Sequence, residues 1–249
     1  MKYLAIVIGI GLLMFAQSAF AAIGFDAAVS TNNVNLTTVS TAVTVTSSQS
    51  NLILVAGIWG EVNAATSGVV SVTYAGSNLT KLISTSTASN TWQLWYLLNP
   101  TTGAQHATTT YNASQNNFSV CFQSFYGVSQ TTPFDSSSTS NAYVHPNTTG
   151  TVTSTTSNAN DWITSFTADN APAGSGVVNP APSTGDTQAC DVSTGGQHAG
   201  SAYRLIPTAQ TTSTGWQNMS STYAIVAGSL VPAGAAAANS TERFTWTGR

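Results

Sequence analysis

The sequence predicts an all-β protein, an antiparallel sandwich of two sheets, on three observations. Apolar and polar residues alternate with period two in short runs that Gly, Pro, Asn and Ser bound. Thr and Val, which suit a pleated surface better than a helix, dominate those runs. No segment of the mature chain repeats its apolar residues at the 3.6-residue spacing of an amphipathic helix. About ten to twelve strands in one domain are expected from such spacing.

The N-terminus has the three parts of a secretory signal. Lys2 supplies the positive charge, residues 4–15 are an apolar core, and Ala19-Phe20-Ala21 places small residues at the −3 and −1 positions. A transmembrane anchor is the alternative, but a span needs about 20 apolar residues, and polar residues at 17 and 18 break this run. We therefore expect residues 1–21 to be removed, the protein to be secreted, and no stable membrane span to remain.

The predicted β-sandwich domain occupies residues 22–233. Residues 39–46 alternate, and residues 52–59 are apolar throughout, which is typical of a central strand buried on both faces. Further strands are predicted at 69–74, 79–83, 91–98, 106–111, 118–128, 161–167, 201–206 and 222–230, with a turn at 75–78. Loops are predicted at 136–150 and 169–185, and residues 234–249 form a tail or a last strand.

The scarcity of charge excludes several classes of protein. The chain has five Lys and Arg and eight Asp and Glu, so charged residues are 5%, against roughly 25% in an average soluble protein. Five basic residues form no patch that could neutralise a row of phosphates, so nucleic-acid binding is excluded. Cys190, Asp191 and His198 lack the close paired spacing of a zinc site. We expect no cofactor and no metal.

The two cysteines, Cys121 and Cys190, both lie in the mature chain. In an oxidising compartment two cysteines most simply form one disulfide. The alternative is a pair of separately buried thiols, since Cys121 lies inside an apolar strand pattern, where a buried thiol is ordinary. We favour the disulfide.

The carboxylates are a poor starting point for catalysis. Glycoside hydrolysis needs two facing carboxylates, and no spaced pair lies on one predicted strand. Glu61, which follows Trp59-Gly60 at the end of the buried strand, is the candidate acid or base, and a strand-end charge facing water is the alternative. No Gly-x-Ser-x-Gly elbow of a serine hydrolase is present, although a Ser-His-Asp triad stays open with so many serines. We predict that the protein is not an enzyme.

The tryptophans are candidates for binding, because aromatic rings with polar edges suit sugar recognition. Trp92 and Trp246 have the most polar neighbours among the six and are the candidate platforms. The alternative is that most of the tryptophans belong to the core.

Several segments in sequence order resemble a group of secreted bacterial and phage β-sandwich domains. The matching segments are Val69 to Thr80 (VVSVTYAGSNLT), Leu94-Trp95-Tyr96-Leu97-Leu98-Asn99-Pro100 with Gly103, Gly127-Val128 with Pro133, Gly200-Ser201-Ala202-Tyr203 with Trp216, and Leu230-Val231-Pro232-Ala233. Ala75 stands where the group has glycine, and Cys121 is not expected of it. The resemblance implies a concanavalin-like jelly roll and transfers no catalytic residue.

These observations together predict a secreted, non-catalytic surface protein. The first hypothesis is a carbohydrate-binding or adhesive module whose partners are glycans or cell-surface polysaccharide. The second is a self-assembling extracellular or virion structural protein, because residues 39–46 are uncharged and, at a sheet edge, would pair with a neighbouring chain. The third is a polysaccharide-active enzyme that uses Glu61.

Overall fold

A computed structural model describes residues 22–46, 48–61, 68–87, 89–141, 148–170, 181–194, 197–219 and 222–234. These residues form strands and no helix, which confirms the all-β prediction. None of them belongs to a helix that could cross a membrane. The predicted signal peptide lies outside the described residues, and so does the predicted C-terminal tail beyond Gly234.

Nine strands in the described part of residues 24–126 form an N-terminal sandwich. They are β1 (Gly24–Asn33), β2 (Leu36–Val45), β3 (Ile53–Glu61), β4 (Val69–Tyr74), β5 (Ser77–Asn78), β6 (Thr80–Ser86), β7 (Asn90–Leu98), β8 (Gly103–Gln115) and β9 (Asn117–Tyr126). The inner N-terminal sheet has the order β1-β9-β3-β7-β6, and the outer N-terminal sheet has the order β2-β8-β4-β5. The pairing is nested and antiparallel, since β1 pairs with β9, β2 with β8 and β3 with β7.

Eight further strands in the described part of residues 134–230 form a C-terminal sandwich. They are β10 (Phe134–Asn141), β11 (Thr148–Thr155), β12 (Asp161–Asn170), β13 (Ala181–Pro182), β14 (Thr187–Thr194), β15 (Gln197–Ile206), β16 (Thr211–Met219) and β17 (Thr222–Leu230). The inner C-terminal sheet has the order β10-β17-β12-β15-β14, and the outer C-terminal sheet has the order β11-β16-β13.

The two sandwiches repeat one topology. Matching β1 with β10 and β9 with β17 matches every strand of the inner sheets in order, and the outer sheets match as well, with β13 in the place of β4 and β5. A bulge after Phe25 recurs after Phe134, and a bulge after Lys81 recurs after Gln188. The sequence predicts one two-sheet sandwich, whereas the described strands form two sandwiches, stacked in four layers.

Three apolar clusters hold the four layers together. One lies between the two N-terminal sheets, and another between the two C-terminal sheets. The third joins the two inner sheets and includes Trp59, Trp92 and Phe166. Gly57 permits a close approach of the two inner sheets, because a Cβ there would clash with the ring of Phe166. The central strands of the inner sheets, such as β3, β9 and β17, are therefore buried on both faces, which confirms the prediction made for residues 52–59.

The hairpin turn predicted after β4 is confirmed. Ala75 and Gly76 both have positive φ, 48° and 82°, as a two-residue type I′ hairpin turn requires. The loop predicted at residues 136–150 is wrong at both ends, because β10 extends to Asn141 and β11 begins at Thr148, while residues 142–147 lie outside the described residues. Serine side chains link these strands: Ser136 Oγ donates to the Thr155 backbone carbonyl over 2.7 Å, and Ser138 Oγ lies 2.8 Å from Ser154 Oγ. Buried or half-buried serines therefore take the place of apolar residues between these strands. A serine-rich segment of this kind has the composition of a loop, which explains the wrong prediction.

Candidate functional site

The predicted disulfide between Cys121 and Cys190 is confirmed. Their Cα atoms are 6.2 Å apart, and the bond joins β9 of one sandwich to β14 of the other. A sulfur in a disulfide carries no proton, so Ser201 Oγ donates to Cys121 Sγ over 2.7 Å. The bond thus ties the two sandwiches together through their inner sheets.

Trp92 does not serve as a ligand platform in this structure. Its side chain is 0% exposed, lies in the cluster between the inner sheets, and donates from Nε1 to the Ala168 carbonyl over 2.9 Å. A platform needs an open ring face, and this ring has none. The core alternative is confirmed for Trp92, while Trp246 lies outside the described residues.

Glu61 ends β3 between two amides. Asn117 on β9 and Asn90 on β7 are its register partners, and Asn117 Nδ2 donates to Glu61 Oε2. The Glu61 carbonyl accepts from the Asn116 amide over 3.0 Å. Its cross-strand neighbours are amides and not a second carboxylate, so this arrangement supports the structural interpretation better than hydrolysis.

Ser193, His198 and Asp169 lie in one row across β14, β15 and β12. A catalytic triad needs the histidine ring bonded to both the serine and the carboxylate. His198 Nδ1 is buried and forms no hydrogen bond. The row is therefore not organised as a triad in this structure.

Three aromatic rings stack at the junction of the two sandwiches, and the sequence alone did not predict this stack. The Tyr203 ring lies between Phe25, with centroids 4.6 Å apart, and Trp162, with centroids 5.2 Å apart, both nearly parallel to it. All three side chains are half-buried. The equivalent pair in the repeat is Phe134 and Tyr96, whose centroids are 5.1 Å apart. The Phe-Asp pair at 25–26, repeated at 134–135, was the available signal.

The outer sheets each have an uncharged edge strand, β2 in one and β11 in the other. Within the described residues, β2 pairs only with β8, and β11 only with β16. Both strands alternate between buried and exposed side chains, and neither contains a charged residue or a proline. β2 and β11 each have one bulge, near their first residues, after Leu36 and after Thr148. The edge strands β6 and β14 have a bulge and also a charged residue, Lys81 and Asp191, and charge is a device that prevents strand addition. The sequence left open whether the strand predicted at 39–46 is an edge or internal, and its residues 39–45 lie on the edge strand β2.

An apolar groove of about 180 Å³ adjoins β2. Ala27, Ala28 and Val29 line it from β1, and Ala42, Val43 and Thr44 line it from β2. In the C-terminal sandwich the corresponding opening, between β10 and β11, is closed by the side-chain hydrogen bonds of Ser136 and Ser138. The N-terminal opening has no such bonds, so a strand added beside β2 would cover apolar surface there.

Two carboxyl groups meet where β12 begins. Asp135, at the bulge of β10, accepts from the Ser157 amide over 2.7 Å and from Asn158 Nδ2 over 3.2 Å. Asp161 accepts from the Asn158 amide over 2.9 Å and is 0% exposed. Burial and a hydrogen bond with the Asp135 carboxyl raise the pKa of Asp161 to about 7. Asp135 and Asp161 are distant in the sequence, and no motif predicts that they meet.

The raised pKa of Asp161 predicts a pH-dependent stability. A carboxyl group whose pKa is higher in the folded than in the unfolded chain favours folding while protonated, so its contribution falls as pH rises from about 4 through about 7. We expect Asp161→Asn, which mimics the protonated acid, to be more stable than the wild type at pH 8, by on the order of 2 kcal/mol. The two should converge at pH 4. Urea unfolding in EDTA at both pH values measures the difference, with the exposed Asp191→Asn as control. A difference that is the same at both pH values would contradict the assignment.

No protein-family model matches the chain, and no curated protein matches it either. The resemblance described from the sequence motifs therefore stays a prediction.

Proposed function

We propose that this protein is a non-catalytic structural subunit that assembles with copies of itself by strand addition at its edges. The observation that carries the proposal is that β2, an uncharged edge strand, has only one strand partner in the described structure. An edge strand presents a row of unpaired N–H and C=O groups, which a second strand satisfies through main-chain hydrogen bonds.

The side chains of β2 favour such pairing. Eight consecutive residues, from Thr38 to Val45, keep one register against β8 without interruption. Their exposed members are small, among them Ser40, Ala42 and Thr44, so another strand can approach closely. The neighbouring apolar groove adds surface that pairing would bury.

The internal repeat makes the subunit bivalent. β11 occupies in the C-terminal sandwich the position of β2 in the N-terminal one, and it has the same alternating, uncharged surface. The two edges belong to the two outer layers of the molecule. A subunit with two such edges can join a neighbour on either side, which gives open chains or layers and not only closed dimers.

The disulfide supports secretion as part of this proposal. Disulfides persist in oxidising compartments such as the periplasm and the cell exterior, and Cys121 is bonded to Cys190. An assembly outside the cell also agrees with the low charge of the chain, 5% of residues, because little like-charge repulsion opposes association.

Each sandwich is, in this proposal, of the jelly-roll type. Folding a long hairpin over itself pairs the first strand with the last and the second with the one before the last. Pairing of β1 with β9 and β2 with β8, repeated by β10 with β17 and β11 with β16, supports this type.

Sedimentation velocity of the mature chain tests the proposal. We expect the sedimentation coefficient to rise with concentration between about 1 and 100 µM, because association follows mass action. Negative-stain microscopy of the heavy fractions should show filaments or sheets. A single monomeric species at every concentration would contradict self-assembly.

A second candidate function is glycan binding at the aromatic stack. Stacked, half-exposed rings of Phe25, Tyr203 and Trp162 offer the apolar faces that sugar rings contact. We expect saturable binding on a glycan panel that Trp162→Ala abolishes, whereas Trp92→Phe, a change in the core, retains it in the folded protein. Equal binding by the wild type and Trp162→Ala, or none by either, removes this candidate.

A further inference from the structure

The carboxyl pair of Asp135 and Asp161 has an unbalanced charge. The described residues include two basic side chains, and both are engaged elsewhere: Lys81 Nζ lies 5.6 Å from the Trp95 ring centroid, and Arg204 Nε lies 3.2 Å from Asp186. Neither reaches the pair. Backbone and side-chain amides from residues 157 and 158 are the donors to these carboxylates.

One oxygen of the pair has no amide or hydroxyl donor among the described residues. Asp161 Oδ1 is buried and accepts no hydrogen bond, while its Oδ2 accepts from the Asn158 amide. A buried carboxylate oxygen without a partner is costly unless a positive charge or a proton neutralises it. The same side chain hydrogen-bonds to the carboxyl of Asp135, so a proton shared by the two acids is what neutralises the pair when no cation is bound.

The internal repeat shows that the fold needs only one of these two acids. Asp26, at the equivalent bulge of β1, accepts from the Thr46 amide over 3.0 Å and from Ser124 Oγ over 2.7 Å. Asp135 makes the equivalent bond to the Ser157 amide. Ile53 and Trp162 occupy equivalent positions in the two sandwiches. The residue before Ile53 is Leu52, and the residue before Trp162 is Asp161, so the first sandwich has leucine where the second has this acid. Asp161 is thus a second carboxylate that the same architecture does without in the first sandwich.

We propose that Asp135 and Asp161 bind a divalent cation, and that the cation is calcium. Calcium takes oxygen ligands in a flexible geometry and accepts carboxylates together with neutral oxygens and water. Magnesium, which is smaller and demands a near-ideal octahedron, suits an irregular loop less well. No third His, Cys, Asp or Glu joins the pair in the described residues, so neutral oxygens complete the ligand set. Sites of extracellular modules with few charged ligands have dissociation constants of about 10⁻⁴ to 10⁻³ M.

Such a cation would tie β10 to the turn that leads from β11 into β12. It would balance the two carboxylates and fix the turn at residues 157–160, which otherwise depends on the amide bonds to Asp135 and Asp161. The site is separate from the edges β2 and β11, and the inference does not depend on self-assembly.

The test uses the full mature chain with its disulfide intact, stripped of metal with EDTA and dialysed. We expect about 10 mM CaCl₂ to raise Tm by about 3–5 °C, as a ligand at roughly ten times its Kd should for a protein of this size. Isothermal titration with CaCl₂ should show saturable binding with one site, and MgCl₂ should give a smaller shift at the same concentration.

Asp161→Asn should lose the calcium response, and Asp191→Asn, which changes an exposed carboxylate, should keep it. Asparagine keeps the size of the side chain, and Asp135→Asn provides a second variant should the first unfold. An equal calcium response in the wild type and both site variants would overturn the proposal. No response of the wild type up to about 10 mM would also overturn it and would show that the pair holds a proton only.

Discussion

Replacing Cys121 and Cys190 together by valine should lower the free energy of unfolding by about 4 kcal/mol. The two residues are 69 positions apart in the chain, and the chain-entropy model assigns roughly this value to a closed loop of that length. For a chain of this size the loss corresponds to a fall in Tm of about 10 °C. Thermal unfolding followed by circular dichroism measures it.

The repeat explains why valine is the matched replacement. Val226 on β17 is the repeat equivalent of Cys121 on β9: each lies four residues before the residue that pairs with Phe134 or Phe25. Ile83 on β6 is likewise the equivalent of Cys190 on β14, since each directly follows the bulge of its strand. Both belong to the same cluster between the inner sheets. Apolar side chains therefore already fill the equivalent place, so the variant loses the bond but keeps the packing.

Dithiothreitol supplies the control for the disulfide. It should lower the Tm of the wild type toward that of the variant and leave the variant unchanged. If the variant and the wild type unfold at the same temperature, the bond between the sandwiches does not stabilise the fold.

Placing like charges on the exposed edges should stop assembly altogether. Ser40→Lys with Thr44→Lys puts two charges on the exposed side of β2, and Thr149→Lys with Thr153→Lys does the same on β11. Like charges facing one another across paired strands are destabilising, and lysine is a common guard of natural sheet edges. Charging one edge should leave only small oligomers through the other, and charging both should leave monomers.

The matched control places the same charge in the middle of a sheet. Ser213→Lys with Gln217→Lys has the same spacing on β16, which lies between β11 and β13 and has exposed side chains at both positions. This variant should assemble as the wild type does, measured by sedimentation velocity. Equal loss of assembly in the control would mean that net charge, and not the edges, governs association.

The sequence predicted strands well where burial is apolar. The apolar run of residues 52–59 predicted a central strand, and β3, which contains most of it, lies in the middle of its sheet. β10 and β11 were missed because their inward positions are serines and threonines that bond to each other. Period-two alternation of polar with polar residues gives no hydrophobic signal.

The repeat and the sites depend on contacts between distant residues. Asp135 and Asp161 are separated by a whole strand, and Phe25 meets Tyr203 from the other sandwich. Trp92 has polar sequence neighbours, yet a second sandwich covers it. A hydrophobic pattern in one sequence shows which residues share a face of a strand, but it does not show that a second sheet covers that face. The burial of Trp92 by a second inner sheet could therefore not be predicted. The disulfide was favoured only from the number of cysteines and the compartment.

Hydrogen–deuterium exchange of the wild type at about 1 µM and about 100 µM tests the central claim most directly. Unpaired amides of an edge strand exchange readily, and pairing with another chain protects them. Peptides covering β2 and β11 should become protected at the higher concentration, while those covering the edge strand β6 should not change. If β2 and β11 exchange equally at both concentrations, assembly through these edges is contradicted, whether or not the mass of the particles grows.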